Sequence, residues 1–83
     1  MDSYQIGQIV KKYVLENIRG DKSMIGSQTL LFQDDYFDSI GLYLLVSFLE
    51  SEFSFVTLDT DLRIENFESM ETIEKFVLSK ITV

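Results

Sequence analysis

The four residues Phe37-Asp38-Ser39-Ile40 lead into a strongly apolar helical segment, and Ser39 is the residue there that could take part in chemistry. A serine hydroxyl becomes a nucleophile when a nearby base, usually histidine, takes its proton. The chain contains no histidine and no cysteine. Ser39 is therefore predicted to be an attachment point that another enzyme modifies, not a catalytic nucleophile of this protein.

The residue types that the chain lacks argue against several kinds of site. Without cysteine there is no disulfide or thiolate, and without histidine the other usual zinc ligand is missing. Asp59 and Asp61 resemble the start of a calcium loop. Ile64, however, stands where that loop requires glycine, and Met70 stands where it requires the closing glutamate. We expect neither a metal site nor an enzyme.

Negative charge is concentrated in the second half of the chain. The formal net charge is −7, and residues 34–74 hold eleven acids, three before Ser39 and eight after it, against the single Arg63. Such a field repels nucleic acid and anionic lipid, and it speeds encounter with proteins that display lysine and arginine. We expect protein partners and no nucleic acid, although acidity of this kind also serves solubility alone.

The length and composition predict one folded domain over residues 1–83. A chain of this size buries a single core, and 46% apolar residues, including seven Phe, supply the material for it. No segment approaches the ~20 apolar residues of a transmembrane helix, and the N-terminus lacks a basic region followed by an apolar run. We expect a cytoplasmic monomer without membrane insertion.

The first half of the chain reads as a helix followed by a long loop. The helix is predicted from about Ser3 to Arg19, and Gly20 and Asp21 end it. The loop runs from there to Asp38, and its apolar segment 30–32 is expected to anchor it to the core. Long loops in small domains are often functional, and this one leads to Ser39. The apolar residues at helical spacing in the first helix are Ile6, Ile9, Val10, Tyr13 and Val14.

A second helix is predicted from Ser39 to Phe53, with Asp38 as the residue that caps its N-terminus. Its buried stripe is expected to contain Leu42, Leu45, Val46, Leu49 and Phe53, with Tyr43 at the border of the stripe. The residues expected to face away are Ile40, Leu44, Ser47, Phe48 and Ser51. Three large apolar side chains on that outward face favour a partner-binding surface, unless Ile40 or Phe48 is covered by neighbouring loops.

Two further helices complete the predicted fold. Asp59, Thr60 and Asp61 can cap a short third helix of one or two turns that reaches about Glu65. Ser69 then caps a fourth helix. In that helix Met70, Ile73, Phe76 and Val77 share one face. No alternating run is long enough to predict a sheet, so the fold class is all-α, a four-helix bundle with a long first loop and a short third helix.

In its order of elements the chain resembles the acyl and peptidyl carrier proteins. A first helix, a long loop, Asp38-Ser39-Ile40 at the start of a second helix, a short third helix and a fourth helix all resemble that family. The resemblance covers nearly the whole chain and is strongest from Leu31 to Val77. Apolar positions of carriers are matched by Phe53, Phe55, Phe67 and Ile73.

The resemblance implies a function as well as a fold. Ser39 corresponds to the serine that receives 4′-phosphopantetheine from coenzyme A, and Asp38 corresponds to the acid before it. It implies three kinds of partner: a phosphopantetheinyl transferase, an adenylating acyl or aminoacyl ligase, and a downstream acyl transferase or synthase. The chain would then carry an acyl or aminoacyl thioester. A phosphate on Ser39 would also suit the free amides at a helix N-terminus.

Some residues depart from the pattern of fatty-acid and polyketide carriers and favour one subfamily of carriers over another. Tyr36 stands where many fatty-acid and polyketide carriers have glycine. Gly41 and the segment 65–69 look more like free-standing aminoacyl carriers such as the D-alanyl carrier protein. The alternative function is a small helical protein interaction module without a prosthetic group, in which Ser39 is only an early residue of the helix.

Overall fold

Four α-helices make up the regular structure of the protein in a computed structural model, which describes residues 2–81. They are α1 (Ser3–Asn17), α2 (Ser39–Phe53), α3 (Ile64–Phe67) and α4 (Met70–Ile81), and short 3-10 turns lie at Lys22–Met24 and Asp59–Asp61. No β-strand occurs within these described residues. The predicted all-α class, the long first connection and the short third helix are therefore confirmed.

Helix α1 begins at a reciprocal cap and ends earlier than predicted. The Gln5 backbone N–H donates to the Asp2 carboxylate (2.8 Å), and the Asp2 N–H donates to the Gln5 side chain (3.2 Å). The helix ends at Asn17 and not at Arg19. The chain turns away because Ile18 is extended and buries its side chain in the core. The predicted end was wrong by two residues because apolar spacing does not distinguish the last helical turn from a buried residue beyond it.

One apolar core joins all four helices. Helix α4 contacts each of the other three helices, and its most extensive interface is with α1. Of the predicted stripe of α2, Leu45, Leu49 and Phe53 are buried, while Leu42 and Val46 are half-buried against the same core. The most deeply buried side chains are Ile6, Val10, Val14, Leu31, Leu45, Leu49, Phe67, Ile73 and Val77. None of the described helices is both long and apolar enough to cross a membrane.

Leu31 anchors the long loop, as the sequence predicted. Its side chain has no solvent exposure, and its backbone N–H donates to the carbonyl of Glu68 (2.7 Å). Its carbonyl accepts from the backbone N–H groups of Tyr36 and Phe37, both at 2.9 Å. Pairing these polar groups offsets the cost of burying the backbone. The segment that leads to Ser39 is therefore held against the core.

The third helix lies later in the chain than predicted. Only a 3-10 turn forms at Asp59–Asp61, and α3 follows at Ile64–Phe67. Asp61 is the reason, because its carboxylate accepts from the backbone N–H of Leu58 (3.0 Å) and pairs with Lys80 of α4. The Asn66 side chain also donates to the Asp61 carbonyl (2.8 Å). These contacts fold the segment back on itself before α3 can begin.

Ser69 caps the N-terminus of α4, as predicted. The Thr72 backbone N–H donates to the Ser69 hydroxyl (3.2 Å), and the Ser69 N–H donates to the Thr72 hydroxyl (3.0 Å). Ser69 is buried, so this reciprocal cap satisfies polar groups that water does not reach. The carbonyl of the preceding residue, Glu68, holds Leu31. The start of α4 thus also supports the loop.

Lys80→Met is predicted to lower the melting temperature at pH 7 more than Lys75→Met. Lys80 is only 20% exposed and pairs with Asp61, whereas Lys75 is 73% exposed and pairs with Glu71 on the same helix. Exposed pairs contribute little to stability. The hydrogen bond from Lys80 holds the pKa of Asp61 below its ordinary value.

A carboxyl whose pKa is lower in the folded state stabilises the fold above its ordinary pKa, and that contribution is lost as the pH falls. The difference between the two lysine variants should therefore shrink below about pH 4, where aspartate carboxyls begin to protonate. Thermal unfolding followed by circular dichroism at pH 7 and pH 3 measures this. Equal losses for both variants at pH 7 would contradict the prediction.

Candidate functional site

The start of α2 presents Ser39 to solvent. Asp38 caps the helix, as predicted, because its carboxylate accepts from the backbone N–H of Gly41 (2.8 Å). Ser39 is the first residue of the helix and is exposed. Since Asp38 already supplies the cap, the Ser39 hydroxyl is not required for it. Residue Ser39 is thus left exposed at the first turn of α2.

Asp38 is held in its ionised form by its neighbours. The hydrogen bond from the Gly41 N–H is the main cause that lowers the pKa of Asp38, and the positive charge of Arg19 lowers it further. The distance from Arg19 Nη2 to Asp38 Oδ2 is 3.6 Å, and both side chains are more than half exposed. Ser39 therefore follows a carboxylate that is charged at neutral pH.

Arg19 is a residue of this site that sequence reasoning missed. In the sequence it marks only the predicted end of the first helix, far from Ser39 in the chain. Its backbone N–H donates to the carbonyl of Tyr36 (3.1 Å), which ties the end of α1 to the segment just before α2. A lone arginine after a helix carries no sequence signal for this role. The contact depends on the path of the long loop.

A groove opens beside Ser39 between the end of α1 and the start of α2. Its volume is about 210 Å³, and both neighbours of Ser39 in the chain, Asp38 and Ile40, line it. Its lining combines aromatic and apolar residues with Arg19, Asp38 and Asn17. The lining residues are Tyr13, Asn17, Arg19, Tyr36, Phe37, Asp38, Ile40, Gly41 and Leu44. Apolar and charged side chains thus line the same groove.

Phe37 and Gly41 fix the direction in which the chain enters α2. Phe37 is buried, and its ring lies 5.7 Å from the ring of Phe32, centroid to centroid. A Cβ atom at Gly41 would lie 2.9 Å from Cδ1 of that ring. The close approach requires glycine at position 41. It sets the angle between the loop and the helix that presents Ser39.

Four of the five residues predicted to face away from the core on α2 are exposed. Ile40 is 68% exposed and Leu44 58% exposed, and the side chains of Ser47 and Ser51 also face solvent. Ile40 and Leu44 are four positions apart in the sequence, so they lie on one face of the helix. Together they form an apolar surface next to Ser39.

Phe48 and Tyr43 depart from the expected arrangement. Phe48 is half-buried, and its ring stacks on Tyr13 of α1 with 4.2 Å between centroids. It follows buried Leu45 by three residues, which places it only about 60° from the core direction. Tyr43 is 73% exposed and does not border the buried stripe. It lies two residues from Leu45, about 200° around the helix.

Of the two acids considered as the start of a calcium loop, Asp61 has a partner in the fold. Asp61 pairs with Lys80, and Asp59 lies in the 3-10 turn. Within residues 2–81, no group of three or more His, Cys, Asp or Glu side chains is placed to hold a metal ion.

The comparisons with known proteins do not assign a family. The chain matches no protein-family model and has no significant match among curated proteins.

Gly41→Ala is predicted to destabilise the protein, although alanine is the better helix former. The added methyl group would displace the buried Phe37 ring, and overpacking of this kind costs about 1–3 kcal/mol. The higher helix propensity of alanine offsets about 1 kcal/mol of this cost. We expect a net loss of about 1 kcal/mol in the free energy of unfolding, measured by urea denaturation. Gly26→Ala is the control, since its Cβ would meet only Thr29 at an ordinary 3.8 Å. Equal stability of the two variants would contradict the prediction.

Proposed function

We propose that the protein is a carrier that holds an acyl or aminoacyl group on a 4′-phosphopantetheine arm attached to Ser39. The observation that carries the proposal is the exposed Ser39 at the start of α2, beside an apolar surface and a groove of mixed character. The chain itself has no thiol and no histidine. Its own residues therefore bind and present the group, and partner enzymes perform the chemistry.

The residues around Ser39 fit such an arm. Asp38 caps α2 through the Gly41 N–H, which leaves the serine oxygen free. The groove next to it combines a cation with apolar side chains, as an anionic phosphodiester followed by an uncharged chain would require. When attached, the arm supplies the thiol that carries the acyl group as a thioester. Ser39 is the only residue that would bond to it covalently.

The apolar surface of Ile40 and Leu44 supports brief docking of partner enzymes. Both side chains are more than half exposed, and a surface of this size favours modest affinity. The acids of the chain surround it in sequence, so basic partners would be steered toward it. Modest contact combined with steering gives fast exchange, and a carrier must leave one enzyme before it meets the next. We propose a phosphopantetheinyl transferase and an adenylating ligase as these partners.

Incubation with coenzyme A and a broad-specificity phosphopantetheinyl transferase is predicted to add the mass of one phosphopantetheine. Intact-mass spectrometry measures the gain, and peptide mapping should locate it at Ser39. Ser39→Ala should abolish the gain, whereas Ser47→Ala on the same helix should keep it. No gain with several transferases would favour the alternative, a helical interaction module without a prosthetic group.

Leu44→Glu is predicted to slow loading of the arm by the adenylating ligase while leaving the helix content unchanged. Leu44 is exposed, so the substitution removes an apolar contact and adds a charge without creating a cavity in the core. Tyr4→Glu is the control, because Tyr4 is a 73% exposed side chain on α1. Loading rates by mass spectrometry and far-ultraviolet circular dichroism test this. A Leu44→Glu protein that loads at the normal rate would remove Leu44 from the docking surface.

A further inference from the structure

We propose that Arg19 is a positioning residue that pairs with the phosphodiester of the arm and draws the arm into the groove between α1 and α2. This inference rests on the proposed function and adds a resting place for the arm on the carrier itself. It follows from the position of Arg19, from the charges around Ser39 and from the lining of the groove.

The backbone holds Arg19 close to Ser39. The hydrogen bond from the Arg19 N–H to the Tyr36 carbonyl (3.1 Å) joins the two segments that lead to the site. On one side, Ile18 is buried in the core, so the residue before Arg19 is anchored. On the other side, Gly20 has a φ of 88° and turns the chain away. The backbone therefore starts the Arg19 side chain close to α2, and its guanidinium reaches the Asp38 carboxylate at 3.6 Å.

The charge of Arg19 is the one that a phosphodiester at Ser39 needs. Asp38 is ionised and directly precedes the serine, so a further anion there is opposed by its like charge. Of the described residues that line the groove, Arg19 is the single cation. It is paired with Asp38 at 3.6 Å in an exposed position, a geometry that binds weakly. A phosphodiester offers the guanidinium a bidentate partner instead.

The rest of the groove suits an uncharged chain with amide groups. Ile40, Leu44 and the ring of Tyr13 form its apolar wall. The Tyr13 ring is held in place by stacking on Phe48, and the Asn17 side chain is held by donating to the Tyr13 carbonyl (2.8 Å). Tyr13 and Asn17 are thus positioned by contacts within the protein, and such preorganisation lowers the entropic cost of binding. The wall therefore favours an arm lying along it over a freely extended one.

The test compares the unmodified and phosphopantetheine-bearing forms of the full chain by nuclear magnetic resonance. We expect the Arg19 Nε–Hε signal to shift on modification, while the signal of Arg63, which pairs with Glu65 on the surface at 3.6 Å, stays in place. We also expect nuclear Overhauser effects between the arm and the Leu44 methyl groups. Raising the salt concentration should weaken both observations, because the pair is exposed.

Substitutions separate the charge of Arg19 from general effects on the fold. Arg19→Gln should reduce the arm-to-Leu44 Overhauser intensities by up to about fivefold, the upper limit for an exposed charge pair. Arg19→Lys should recover part of the loss, because it restores the charge but not the bidentate geometry. Arg63→Gln is the matched control and should change nothing at the groove. Circular dichroism confirms that each variant is folded.

The outcomes distinguish this inference from the function on which it rests. If Ser39 is modified but the Arg19 signal does not move, or if Arg19→Gln behaves like Arg63→Gln, the inference is overturned and the carrier function stands. If no transferase modifies Ser39, both are overturned. A shift of the Arg19 signal together with a loss specific to Arg19→Gln supports the inference.

Discussion

The burial of Leu31 is the constraint on which the arrangement of the site depends. Its side chain lies inside the core, its N–H donates to the Glu68 carbonyl, and its own carbonyl accepts from Tyr36 and Phe37. A loop without such anchors would cost more conformational entropy to order than its contacts could return. Since the loop is fixed at Leu31, the chain reaches α2 along one path. That path brings the end of α1 to the side of Ser39.

At the start of α2, Asp38 makes the stabilising contacts and Ser39 makes none of them. The Asp38 carboxylate caps the helix through Gly41 and pairs with Arg19, so it stays ionised and ordered while Ser39 remains exposed. The close packing of Phe37 on Gly41 sets the direction of the helix below the serine. A modification site benefits from this combination because the hydroxyl is accessible while the backbone that carries it is held in place. The proposed carrier function uses both properties.

The sequence predicted the existence of the helices more accurately than the residues at which they begin and end. Helix α2 has the predicted bounds because a strong capping residue, Asp38, coincides with the start of its apolar stripe. Helix α1 ended early because Ile18 leaves the helix to enter the core, and α3 began late because Asp61 is engaged by Leu58 and Lys80. In both places a contact with a distant part of the fold outweighs the local pattern. Local patterns do not contain that information.

The amino-acid sequence alone determined the all-α class, the cap at Asp38 and the position of Ser39 as the first residue of α2, because these depend on residues near one another in the chain. The tertiary structure decided which flank of α2 is covered, so that Phe48 stacks on Tyr13 while Ile40 and Leu44 stay exposed. It also decided that Arg19 lies beside Asp38. The reason is physical: the covered flank of α2 and the position of Arg19 depend on how the loop anchored at Leu31 places α1 against α2, and no spacing within either helix encodes that placement.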